Sequence, residues 1–363
     1  MLHATPNLSI SDNRTRMTSG TKSFIKYFFS TFLTLFFLYF AFKGTDFRTL
    51  KEELARANYW WALGMIPPLL LSHIFRAWRW KYLLRPIKRD LKFRNLFSAM
   101  SVGYLVNNVL PKVGEIVRPY AVGKLEGISR SAAFGTLLVE RIFDILSFLV
   151  LAGLIPLVYS GPLNQVFPWL EQTGLWIAAV TVVFVAVVGF LLVRRDIMVR
   201  FLNFFTRHLS PKRAQFVERI SHSFLDGFLF LKEPKHFFMI GILSVLVWGL
   251  YIFMIYLPFE AFGLVSSAGL DLRSALVVQA ISSIGYMAPT PGATGPYHYF
   301  TVQTLTKLYG VGYDAARSYA VVTHALGYLT TSLLGLYFLF RDKLHVAELI
   351  KTPPPAVEPE ALS

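Results

Sequence analysis

The chain has 363 residues, of which 54% are hydrophobic, 16% aromatic and only 16% charged, well under the roughly 25% charged residues of a soluble domain. This excludes an ordinary soluble enzyme and fits one membrane bundle of about six to eight units, each span needing about 20 apolar residues. Cysteine is absent and the net charge is +15, so disulfides and thiolate metal sites are excluded; the bases cluster beside apolar runs, which marks membrane topology and not a nucleic-acid surface.

Residues 1–21 are polar, lack periodicity and read as a disordered cytoplasmic tail. Residues 22–345 form a single transmembrane domain, and 346–363 a disordered, proline-rich tail. The first span is Phe24 to Phe42, with no small-residue cleavage site at its exit. A stretch of nearly balanced charge, Lys43 to Asn58, connects it to a second span from Trp60 to about Leu84. Arg76 to Arg94 then carries eight bases against the single acid Asp90, which places that end in the cytoplasm.

From Leu96 the chain is apolar to Leu110, breaks at Pro111 and Gly114, and resumes through Val122. Neither arm is long enough to span, so a re-entrant hairpin entering from the cytoplasm is expected; irregular backbone at membrane depth is tolerated only inside protein or beside a watery cavity. The third span is Ala132 to Tyr159, and Ser160 to Gly174, with no Lys or Arg, lies outside. The fourth span is Leu175 to Val193. Residues 194–235 carry nine bases against four acids and are cytoplasmic, including an amphipathic helix over about 211–231 with Phe216, Ile220, Phe224 and Phe228 on one face.

The fifth span is Phe237 to Phe262. A second hairpin, from the outer face, runs from Ala275 to Leu308 with its break at Pro289, Pro291, Gly292 and Gly295, and the sixth span is Tyr319 to Phe340. The expected fold is thus an all-α polytopic membrane protein of about six full spans plus two re-entrant hairpins, eight hydrophobic units in an inverted-topology repeat with halves of about 22–160 and 174–345. Both termini are cytoplasmic, in the cell membrane.

Ionisable groups at membrane depth cost about 2.5–3.5 kcal/mol each even on the lenient insertion scale. Glu115 and Arg118 follow the first break, and Glu140, Arg141 and Asp144 share the third span. Two readings remain open: an ion-pair cluster that locks the hairpin to the third span, or a binding site in which Arg118 and Arg141 hold a phosphate while Glu115, Glu140 and Asp144 are their resting partners. Asn107 and Asn108, just before the break, complete the candidate binding set. Glu140, Asp144, His298 and His324 are candidates for proton coupling. His73 reads as structural, and Arg76 and Arg79 as basic topology markers whose side chains snorkel to the cytoplasmic boundary. No cofactor or metal motif and no phosphate-cradling glycine loop is present.

Gly114-Glu115 followed by Arg118, Glu140-Arg141 followed by Asp144, RAWRWKYLL at Arg76 to Leu84 and PTPGATG at Pro289 to Gly295 resemble the flippase-like lysylphosphatidylglycerol synthase transmembrane-region family, over roughly Phe24 to Phe340. The second hairpin departs from the family's PxPGGxGxxE pattern, with Ala293 for a glycine, Pro296 added and His298 where the acid falls. The resemblance implies a stand-alone transmembrane member, without the aminoacyl-transfer domain of some relatives, that moves an anionic lipid or polyprenyl-phosphate-linked intermediate between leaflets. An intramembrane enzyme acting on a lipid phosphate, with Glu140, Asp144 and His298 as acid or base, and a scaffold for an envelope synthase are the alternatives.

Overall fold

In the computed structural model of the protein, residues 19–161 and 234–345 are described, with 166–168 and the isolated positions 176, 179, 182, 183 and 186. The amphipathic helix expected at 211–231, residues 1–18 and the tail at 346–363 lie outside the described residues, as does most of the fourth span; residues 19–21, expected in the first tail, open a helix instead. Every regular element among the described residues is helical.

The first span is α1, Ser19–Phe42. Its C-terminal carbonyls are taken up by Arg317, whose Nε donates to the Ala41 oxygen at 3.0 Å and Nη2 to that of Lys43 at 2.6 Å. The stretch read as a simple connection is itself a helix, α2 (Phe47–Arg56), bent 84° from α1. Asp46 starts it by accepting from the Arg48 N–H at 2.9 Å, and Leu50 is its buried residue. The second span is divided at Gly64 and Met65 into α3 (Tyr59–Leu63) and α4 (Ile66–Leu84). Prolines 67 and 68 open α4, where a missing N–H costs nothing.

The first hairpin has arms α5 (Phe93–Val109) and α6 (Gly114–Glu126). At 17 and 13 residues they reach about 25 and 20 Å, short of the roughly 30 Å hydrocarbon core. The third span is α7, Arg130–Val158, capped by Ser129. After α8 (Pro234–Ala261) and the short α9 (Leu264–Ala268), the second hairpin is formed by α10 (Leu272–Gly285) and α11 (Pro296–Tyr309), each of 14 residues, joined through a 3-10 turn at Pro291–Ala293. The last span is α12, Tyr313–Arg341. Three helices, Arg130–Val158, His236–Ala261 and Tyr313–Arg341, are each long and apolar enough to cross a bilayer, and α1 with α2 forms a bent fourth.

Packing between the two parts of the chain is reciprocal. Helix α4 packs against α8; α5 packs against α12, and α10 against α7; α6 lies on α7, and α11 on α12. One apolar core surrounds the first hairpin (Trp80, Leu96, Met100, Val117, Val122), and another the second (Phe259, Val278, Val302, Leu305, Tyr319). The arms of the first hairpin cross where neither helix has a side chain: a β-carbon on Gly114 would fall 1.9 Å from the Gly103 carbonyl oxygen. At the second break Gly295 has φ of 95°, and a β-carbon there would meet the Thr34 carbonyl of α1 at 2.7 Å.

Candidate functional site

The expected charged residues converge, and two more join them. Residues three apart on a helix share a face, so Arg76 and Arg79 of α4 project together toward α7, where Glu140, Arg141 and Asp144 form one face. Arg118 enters from α6. Glu140 is fully buried and accepts from Arg76 at 2.8 Å, Arg118 at 2.9 Å and Arg141 at 2.9 Å, with Arg79 at 3.5 Å. Asp144 accepts from Arg79, and from Arg76 and Arg141 at 3.2 Å each. Glu115 stands 3.7 Å from Arg141. The reading of Arg76 and Arg79 as snorkelling markers is therefore corrected: Arg79 has no exposed side-chain surface, and both are bound into the interior by contacts from α4 to α7.

Neutral groups complete the first shell of contacts. Tyr251 accepts from Arg76 at 3.1 Å and Ser244 from Arg79 at 3.0 Å. Arg118 stacks 4.5 Å over the Trp80 ring, and Arg76 lies 5.7 Å over Tyr104. His73 packs its ring 4.6 Å from Tyr104, consistent with a structural place.

Four guanidinium groups face three carboxylates, so the cluster carries one formal positive charge in excess. Each guanidinium has five N–H donors, more than the carboxylate oxygens can use. The buried Nε atoms of Arg76, Arg79, Arg118 and Arg141 all lack an acceptor, and so does the Tyr104 hydroxyl as a donor, while on the acceptor side Glu115 Oε2 alone among the buried oxygens of the three carboxylates lacks a donor. An unpaired donor away from water is costly, and the unused donors are of a kind that can hydrogen-bond an oxyanion. Accessibility separates inner from outer members: Arg79 and Arg118 are sealed, whereas the Arg141 side chain is 35% exposed and Glu115 30%.

The two asparagines serve the hairpin instead of joining the charges. Asn107 accepts the Gly114 N–H at 2.7 Å, closing the first turn of α6. Asn108 donates to the Tyr328 carbonyl, Thr331 and Ser332 of α12, and Tyr328 donates back to the Asn108 carbonyl at 3.0 Å. Pro111 is buried in the break. At the second break, Pro289 precedes the turn that Pro291 opens, and Gly292 fits against the Tyr328 ring. The imidazoles of His298 and His324 lie 4.6 Å apart. His298 Nδ1 accepts from the Gly295 N–H at 3.4 Å, and His324 Nε2 is 2.9 Å from the Gly292 carbonyl oxygen, so both brace the second hairpin.

What sequence reading missed was Arg76, Arg79, Tyr104 and Tyr251. A signal for the first two existed: they are spaced to share the same face of α4 as His73, which an interior face would hold and a lipid-facing one would not.

Comparison with known proteins gives a consistent result. A UPF0104 membrane protein of Methanothermobacter thermautotrophicus is 28% identical over 308 residues, covering 79% of this chain and 87% of that relative. A second from the same organism is 24% identical over 322 residues, with 82% and 87% covered. A UPF0104 membrane protein of Methanocaldococcus jannaschii is 37% identical over a shorter 90-residue stretch, 24% of this chain and 26% of that protein. No solved structure matches the chain. The family model described as the lysylphosphatidylglycerol synthase TM region matches residues 24–335; the chain, a multi-pass integral membrane protein with a lipid-related role, belongs to that family.

Proposed function

We propose that the protein is a lipid transporter that carries an anionic headgroup, of a phospholipid or a polyprenyl-phosphate-linked intermediate, from one leaflet to the other past the arginine cluster. The observation that carries this is the surplus of guanidinium donors: four arginines, each with a buried and unpaired Nε, around three acids. A phosphodiester would supply the missing negative charge and several acceptors at once.

The reciprocal packing supports an inverted repeat of six spans and two facing hairpins, an arrangement in which a midplane site lies between broken segments. The short arms and glycine-lined crossings fit irregular backbone that is packed on one side and open on the other, as beside a watery cavity. With the termini in the cytoplasm of a cell membrane whose potential is inside negative, each negative charge moved outward gains about 2.3 kcal/mol per 100 mV. Export therefore needs no energy source. Import would need coupled protons or cations; the His298 and His324 pair suits that role better than Glu140, whose four guanidinium neighbours depend on its charge.

Orientation has a direct check. Single cysteines at Ser160 and Ser267 are expected to react with an impermeant maleimide from outside the cell, and one at Asp90 only after permeabilisation; all three positions are exposed. The reverse pattern would invert the proposed topology.

For function, purified protein in vesicles is expected to change the sidedness of labelled phosphatidylglycerol or a labelled polyprenyl phosphate while leaving its mass unchanged. A new lipid species with unchanged sidedness would replace transport by enzymatic modification. Neither change, across a panel of anionic lipids, would remove the proposal.

A further inference from the structure

Lys112 has no part in the scheme above, yet its geometry is unusual. It sits at the tip of the first hairpin with φ of 64°, the left-handed region that a β-carbon makes costly. From there its ammonium donates at 3.0 Å to the Tyr286 carbonyl oxygen. Tyr286 is the C-cap of α10, the end of a helix where carbonyls are unpaired and a cation is favoured. This is a direct hydrogen bond between the two hairpins. The tips also pack directly, α5 against the turn at Pro291–Ala293 with Asn108 beside Gly292, but the hydrogen bonds of Asn108 and Gly292 run to α12, through Tyr328, Thr331, Ser332 and His324.

Lys112 also faces the accessible edge of the arginine cluster. It lies within the electrostatic reach of Glu115 and Arg141, and Glu115 touches Arg141. The side chains around it are apolar and exposed: Val109 and Ile116 on the first hairpin, Tyr286 and Met287 on the second. An ammonium beside exposed apolar side chains, with Glu115 and Arg141 as its charged neighbours, is complementary to a phosphate that carries hydrocarbon chains. Its present partner is a neutral carbonyl, and a hydrogen bond to an ionised acceptor is about twice as strong.

We infer that Lys112 is an exchangeable latch between the hairpins: in the empty protein it holds the Tyr286 carbonyl, and it moves onto the phosphate of an arriving lipid, which frees the second hairpin and passes the headgroup to Arg141. The inference rests on the proposed binding of an anionic headgroup and adds the step by which binding opens the path. The strained backbone at Lys112 is consistent with a tip held in place by that bond and able to relax when it is released.

The chain has no native cysteine, so spin labels at Val109→Cys and Met287→Cys report the separation of the tips in dodecyl maltoside micelles, which carry no phosphate. In detergent alone the parent is expected to show one short distance, Lys112→Arg the same, and Lys112→Met a longer one. Adding phosphatidylglycerol should lengthen the parent distance to that of Lys112→Met and leave Lys112→Met unchanged. Lengthening by inorganic phosphate alone would assign the exchange to the phosphate group without its lipid chains. A Lys112→Met distance equal to the parent's in detergent alone would overturn the latch. So would an unmoved parent distance when a phosphatidylglycerol-dependent rise in melting temperature, lost in Arg141→Ala, shows that the lipid is bound; that result would leave the binding site standing. No anion-dependent melting shift at all would remove the binding site and the latch together.

Discussion

Glu140→Gln is expected to lower the stability of the protein by roughly 3–5 kcal/mol, the cost of breaking a buried ion pair from one side, and Glu140→Leu by more. The reason lies in what surrounds the carboxylate. Arg76, Arg118 and Arg141 donate to it within 2.9 Å and Arg79 stands at 3.5 Å, while the side chain itself has no exposed surface. Glutamine keeps the size and one acceptor oxygen but removes the charge, so four guanidinium groups remain with Asp144 and the more distant Glu115 as their only acids. Charges at membrane depth have no water to fall back on. Melting in detergent, followed by tryptophan fluorescence, reads the effect directly. A proper comparison is Glu52→Gln, which removes an exposed i, i+4 pair with Arg48 and should leave the melt unchanged. A Glu140→Gln protein that melts with the parent would mean that the cluster is not the internal brace these contacts describe.

Much of this architecture is legible in the sequence because the bilayer imposes strict rules. Apolar length, base-rich loops and Pro-Gly breaks place α5, α6, α7, α8, α10 and α11 within a few residues of where they lie, whereas α9 falls in a stretch read as a connection and α12 starts six residues before the expected Tyr319. The core of the site, Arg118 with Glu140, Arg141 and Asp144, is legible for a related reason, since charge inside an apolar run needs a partner. The rest depends on contacts between distant segments. Arg76 and Arg79 sit near a basic loop, where snorkelling competes with the inward reading that their shared face with His73 favours; the packing of α4 against α7, some sixty residues apart in the chain, decides between them. Asn107 and Asn108 offered amides suited to a ligand, but the backbone N–H of Gly114 at the hairpin break takes the first and Thr331, Ser332 and the Tyr328 carbonyl of α12 take the second. Helix α2 was hidden because its short amphipathic pattern, begun by Asp46, carries charge balanced enough to resemble a connection.

Arg141→Lys is expected to leave the protein folded while slowing lipid movement about tenfold or more. Arg141 is the outermost cation of the cluster, 35% exposed, and its Nη2 is shared between Glu140 at 2.9 Å and Asp144 at 3.2 Å while Nη1 stands 3.7 Å from Glu115. A lysine ammonium can still satisfy one of these acids, so the charge balance that holds α6 and α7 together survives. What is lost is the planar fork, two parallel donors matched to two phosphate oxygens. One charge-assisted hydrogen bond of that kind is worth about 1.5–3 kcal/mol, which sets the expected factor at tenfold or above. Arg79→Lys makes the contrast: that side chain is sealed, and its two ends serve Ser244 and Asp144 at once, so the shorter reach of lysine should cost stability before it costs transport. The measurement is the rate at which labelled phosphatidylglycerol changes leaflet in vesicles holding equal amounts of each folded variant. Parent-like transport by Arg141→Lys, with its melt unchanged, would show that the accessible guanidinium does not grip the headgroup and that the surplus of donors belongs to the scaffold alone.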